Sequence, residues 1–207
     1  RAHQTGTQNV TGSLSRYQVV AWRNALFVVF GICGIGMASW VARLPAVRDA
    51  LQASTEQMGW LIFGIAAGSI IGLVASSHVV ARFGARVTIV WCLIIGPVGL
   101  AIAALGASVG PSFGLIFASL LVFGAAFGMC DVAMNVSGAA NERVLRRAVM
   151  PLFHAAFSGG TIIGAALGAL AEGLHVPIVI HIAVISLLMA VGAILAVRSF
   201  RSEHIIE

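Results

Sequence analysis

Five stretches of this chain carry no Asp, Glu or Arg at all: 24–42, 57–81, 87–130, 148–171 and 173–197. A hydrocarbon core about 30 Å thick is crossed by a helix of about 20 apolar residues, so each stretch is long enough to span a bilayer. The stretch 87–130 is too long for one span. It is broken at 106–112 by GASVGPS, a run of turn formers that ends one helix and starts another. The chain is therefore expected to be an all-α membrane protein of six spans, near 24–42, 58–80, 87–106, 113–139, 150–171 and 176–197. Only 9% of its residues are charged and 59% are hydrophobic, with a mean hydropathy of +1.01. Soluble domains are about a quarter charged, and no water-soluble core hides this much apolar surface.

The basic residues are all Arg, and they sit at span ends. Arg16, Arg23, Arg82, Arg86, Arg143, Arg146, Arg147, Arg198 and Arg201 fall on one side of the membrane, and Arg43 and Arg48 on the other. Arginine-rich loops stay in the cytoplasm, so both termini and the loops after spans 2 and 4 are expected inside, in the inner (plasma) membrane of a cell. The pI of about 10.5 is thereby explained without a nucleic-acid partner. The lipid bilayer is the partner it implies. Residues 1–20 read as a polar tail without the apolar region of a secretory signal. Residues 21–200 form the six-span unit, and 201–207 a C-terminal tail or the start of a central cytoplasmic linker.

Two segments repeat. GSIIG at 68–72 in span 2 returns as GTIIG at 160–164 in span 5, and the two spans run in opposite directions. That is the pattern of an inverted three-plus-three repeat, a mark of secondary transporters. Glycines recurring every four residues (64, 68, 72 and 160, 164, 168) give smooth faces on which helices approach closely.

Asp131 is an acid within an apolar span, where a charge costs about 2.5–3.5 kcal/mol on insertion scales. At 100° per residue it shares a stripe with Gly124, Gly128, Asn135, Gly138 and Glu142, so this face looks into protein or a water-filled cavity. Two readings stand: a carboxyl that loads and releases a proton as a cavity changes sides, or a structural acid held by a neighbouring amide or Arg. Span 5 carries His154, Ser158 and Thr161 on one face, either hydrogen-bonding a polar substrate and relaying a proton to Asp131, or bonding other helices. Glu142 is expected to pair with Arg143. Trp40 and Arg43 precede Pro45 at the external end, as an interface anchor and a snorkelling cation or as substrate contacts. His78 and His181 lack metal-ligand spacing. Cys33, Cys92 and Cys130 read as small hydrophobic residues, with no metal or cofactor implied.

The loop after span 2, SHVVARFGAR at 77–86, resembles the major facilitator superfamily signature of Gly, three residues, Asp, Arg, any residue, Gly and a basic residue. Arg82, Gly84 and Arg86 match it, while Ser77 and Ala81 replace the Gly and the acid. With Asp131 four residues before Asn135, followed by MPLFHAAFS at 150–158, the chain is similar over 23–200 to the N-terminal six-helix half of such transporters, on a bacterial branch near the fucose–proton symporters. The resemblance implies a secondary active, proton-coupled transporter of a small polar solute. It would work by alternating access with a second six-helix half, whether the same chain continued, a second copy or a separate subunit. It implies proton coupling at Asp131, a substrate cavity with Asn135, His154, Ser158, Thr161, Trp40 and Arg43, and no enzymatic activity. Span 1 has no acid of the kind the fucose symporter uses, so sugar specificity is not carried over. Alternatives are a non-transporting membrane scaffold or partner subunit, a drug efflux antiporter, and an intramembrane protease using Ser158 with His181.

Overall fold

The computed structural model describes residues 13–204, and every element in that range is helical. In chain order they are α1 (Arg16–Ala42), α2 (Leu44–Leu51), α3 (Thr55–Phe83), α4 (Ala85–Ser108), α5 (Phe113–Leu145), α6 (Met150–Gly173) and α7 (Ile178–Ala196), with a closing 3-10 turn at Val197–Ser199. All but α2 are long and apolar enough to cross a membrane. The chain is thus an all-α, six-span protein.

The helix starts follow from local hydrogen bonding. Ser15 Oγ accepts from Gln18 N at 3.2 Å while Gln18 Oε1 accepts from Ser15 N at 2.9 Å. This reciprocal cap starts α1 at Arg16, inside the segment read as tail. Residues 1–12 of that tail and 205–207 of the expected linker lie outside the described residues. Ser54 and Gln57 repeat the device at α3, at 3.1 and 2.8 Å. The short α2 was not foreseen. It begins at Leu44–Pro45, where a missing N–H costs nothing in a first turn, and ends at Gln52 in a left-handed conformation.

The repeat at 68–72 and 160–164 is present in the packing. A Cβ on Gly68 would overlap the Leu121 carbonyl and one on Gly72 the Ala125 carbonyl, both on α5. Correspondingly, one on Gly160 would overlap the Gly31 carbonyl and one on Gly164 that of Ile35, both on α1. The α3 and α6 positions differ by 92 and the α5 and α1 positions by 90. The reverse contacts obey the same offsets, since Gly124 meets Ile65 and Gly34 meets Phe157. The α3–α5 pair is therefore the α6–α1 pair turned over, as an inverted three-plus-three repeat requires. In both copies the glycines face inward while Ile70 and Ile71, and Ile162 and Ile163, stay exposed.

Around α1 and α5 the core divides into two layers. One holds Trp22, Phe30, Cys33, Ile89, Cys130 and Phe153, and the other Trp40, Leu61, Leu100, Leu120, Phe123 and Ile182. The outer surfaces of α3 and α6 remain the barest.

Candidate functional site

Asp131 lies near the middle of α5, exposed at the bundle surface beside a cavity of about 220 Å³ whose wall includes Ser69, Leu73, Phe127 and Gly128. The placement follows from the glycine stripe. Gly124 and Gly128 seat α5 on Ile65 and Ser69 of α3, which turns the next residue on that stripe toward the same groove. Asn135 Nδ2 donates to the Asp131 carbonyl at 2.8 Å and to its carboxylate Oδ1 at 3.3 Å. No Arg pairs with the acid among the described residues, so of the two structural partners foreseen only the amide is there.

Helix α1 fixes the depth of the remaining candidates. Cys33 Sγ lies 3.6 Å from Met134 Sδ of α5, and next to it Gly34 packs against Phe157 and Thr161 of α6. The rings of Phe127 and Phe157 are 6.3 Å apart. Asp131, Asn135, Ser158 and Thr161 therefore sit at comparable depth. No hydrogen bond joins the α5 pair to the α6 pair among the described residues, and Thr161 Oγ1 donates instead to the Ser158 carbonyl at 2.6 Å. His154 is exposed, its ring edge-on to Phe30 at 5.5 Å, one turn nearer the arginine-rich end.

Trp40 and Arg43 are elsewhere. Trp40 is wholly buried in the core, which is no position for an interface anchor. Arg43 is 3% exposed, so it does not snorkel. Its Nε lies 3.1 Å from Glu172 Oε2, its Nη2 donates to the Val176 carbonyl at 2.6 Å, and its Nη1 is 3.3 Å from His181 Nδ1. A buried cation so held ties α1 to α6, α7 and the turn between them. Glu172 is half exposed and can rehydrate on its own, so removing the guanidinium should cost less than breaking a wholly buried pair. Arg43→Met is expected to lower stability by roughly 1.5–3 kcal/mol, the scale of hydrogen bonds to a charged group. An unchanged thermal midpoint in detergent would remove the cluster from the contacts that hold the bundle.

The same cluster separates Ser158 from His181. Ser158 adjoins Phe157, which packs on Gly34, whereas His181 contacts Arg43, nine residues further on at the end of α1 and roughly 13 Å away in depth. Ser158 and His181 therefore form no dyad.

At the arginine-rich end the expected Glu142–Arg143 pair is replaced. Glu142 Oε2 accepts from Val149 N at 2.7 Å and Met150 N at 2.9 Å, capping α6, and Arg143 Nη2 donates to the Glu203 carbonyl at 3.4 Å. In the motif loop, Gly84 has φ 82° and ψ 160°, a conformation only glycine adopts readily, and it joins α3 directly to α4. The Arg82 guanidinium carbon lies 5.5 Å from the centre of the Phe83 ring, and Arg86 is exposed in the first turn of α4. At the start of α4, Glu203 Oε1 accepts from Ala85 N at 2.8 Å. Nothing local to the loop could have pointed to Glu203. The three cysteines, from three helices, converge as free thiols around one small gap with Met189.

A six-span bundle of two inverted repeats, with a carboxylate midway along one span and glycine-smoothed helix faces, defines a class of polytopic membrane protein. Curated relatives give that class a name. Over 138 residues, 67% of this chain, it is 34% identical to an uncharacterised MFS-type transporter of Yersinia pestis. Over 167 residues, 80% of the chain, it is 31% identical to an uncharacterised transporter of Sinorhizobium fredii, and over 148 residues, 71% of the chain, it is 26% identical to membrane protein MosC of Rhizobium meliloti. These matches support the major facilitator superfamily at the superfamily level. The chain spans less than half the length of these relatives, 35–43%. No family model matches the chain, and no solved structure matches it.

Proposed function

We propose that this chain is the N-terminal six-helix half of a proton-coupled secondary transporter for a small polar solute, near the fucose–proton symporter branch of the major facilitator superfamily. It acts by alternating access against a second six-helix half. Asp131 carries the coupled proton and Asn135 steadies it. Ser158 and Thr161, at the same depth on α6, contribute hydrogen bonds to the solute, and His154 lies on the path toward the arginine-rich side. Both termini face the cytoplasm of a cell whose inner membrane holds the protein, because arginine-rich loops are retained inside.

The observation that carries this reading is Asp131 itself: an acid midway along a span, exposed beside a cavity, with an amide as its hydrogen-bond partner. Intramembrane acids of this kind mark ion and substrate paths. The bare faces of α3 and α6, repeat mates of each other, suit a surface that a second half covers. The test is a screen of sugars, amino acids, organic acids and organic cations against vesicles holding the chain with its second half and an internal pH dye. A solute that drives proton movement on addition supports the reading. Solute uptake with no proton movement in either direction would leave a transporter but sink proton coupling.

A further inference from the structure

A groove of about 560 Å³ opens at the arginine-rich end between α1, the α5–α6 turn and the first turn of α6. Arg16, Arg23 and Arg147 line it, together with Val20, Phe27 and Leu152. Among the described residues no acidic side chain lines it. Among the described residues no carboxylate pairs with any of the three arginines: the Arg23 guanidinium donates to the neutral Asn24 Oδ1 at 3.0 and 3.2 Å. The nearby Glu142 carboxylate is turned to the Val149 and Met150 amides. Three cations thus line a groove in which none of them is paired with a carboxylate among the described residues.

The groove also has depth. From Arg16 to Phe27 it follows α1 for about 16 Å, starting at the polar end of a membrane span and running down among apolar side chains. A free anion would use only the mouth. A molecule with a phosphate at one end and a hydrocarbon chain at the other uses all of it.

We propose that this groove is a binding site for an anionic glycerophospholipid, with the phosphate held by Arg16, Arg23 and Arg147 and one acyl chain laid along Val20, Phe27 and Leu152. Basic pockets between transmembrane helices at the membrane surface are suited to acidic headgroups, because each Arg near an anionic surface is worth roughly a fivefold gain in affinity. The groove shares no lining residue with the Asp131 cavity, so a bound lipid fixes the entry of α1 against α6 without filling that cavity.

The test reconstitutes the purified chain in nanodiscs of equal phosphatidylglycerol and phosphatidylcholine, then counts retained lipid by native mass spectrometry. Phosphatidylglycerol should be enriched, and Arg16→Gln, Arg23→Gln and Arg147→Gln should each lower its retention about fivefold. Arg48→Gln, at the opposite end, should leave it unchanged. Phe27→Ala should weaken lipid retention without creating competition from glycerol phosphate. Equal retention of the two lipids overturns the proposal, as does indifference to all three substitutions. Displacement of the lipid by millimolar glycerol phosphate overturns it too, since that marks a free-anion site. Should a variant fail to fold, the unaltered chain still decides: enrichment must fall as salt rises, and enrichment that ignores salt is fatal to the idea.

Discussion

Replacing Asp131 by Asn is expected to abolish uphill solute accumulation while leaving the bundle intact. Asn has the same shape, and its side-chain oxygen can still accept from Asn135 Nδ2, whose shorter bond, 2.8 Å, goes to the backbone carbonyl in any case. Removing a charge from mid-span lowers the insertion penalty, so the thermal midpoint should hold or rise. What disappears is the exchangeable proton. With one coupled proton, a pH gradient of one unit sustains about a tenfold solute gradient, the equivalent of 1.36 kcal/mol. The Asn variant should let internal solute rise only to the external level, whatever the pH difference. Asp131→Glu restores the carboxyl with an extra methylene and should recover part of the accumulation, an effect that a purely structural acid would not show. Accumulation by the Asn variant equal to that of the unaltered protein would return Asp131 to a structural role.

What the sequence made legible depends on how far apart the deciding residues lie. Charge-free stretches and turn formers act within a span, and six spans follow from them. The starts of α1 and α3 moved outward because a short-range cap stood beyond the apolar run, at Ser15 with Gln18 and at Ser54 with Gln57. The five-residue repeat proved to be a packing repeat because glycine, in each copy, has to meet a backbone carbonyl. The Arg43 cluster was not legible, since Glu172 and His181 come from α6 and α7, more than a hundred residues along. Glu142 misled for the opposite reason: adjacent residues on a helix do not face each other, so its neighbour Arg143 was a poor partner and the open amides of α6 were a good one. At the candidate site, the stripe carrying Asp131 and Asn135 could be read from the helix period. Ser158 and Thr161 shared its depth only once α1 had been packed between them and α5.

The repeat makes its own demand, strongest at two neighbouring glycines of α6. Gly160→Ala is expected to destabilise the bundle by about 1–3 kcal/mol or more, the range for overpacking a tight interface, because the added Cβ would overlap the Gly31 carbonyl and its backbone. A carbonyl in the middle of α1 cannot turn aside as a flexible side chain can, so α1 and α6 have to separate. Gly159→Ala, one residue earlier, meets nothing within 4 Å and should stabilise by a few tenths to about 1 kcal/mol through helix propensity. Gly68→Ala, the repeat mate of Gly160, faces the Leu121 carbonyl in the same way and should match the Gly160 loss. Thermal unfolding in detergent, followed by tryptophan emission, ranks the three. If Gly159→Ala and Gly160→Ala shift the midpoint alike, or if Gly68→Ala is harmless where Gly160→Ala is not, the two helix pairs do not share one packing, and the inverted repeat is a likeness of sequence alone. A matched loss at 68 and 160 beside a gain at 159 has a single physical source, the same backbone-to-backbone contact made twice with the chain reversed.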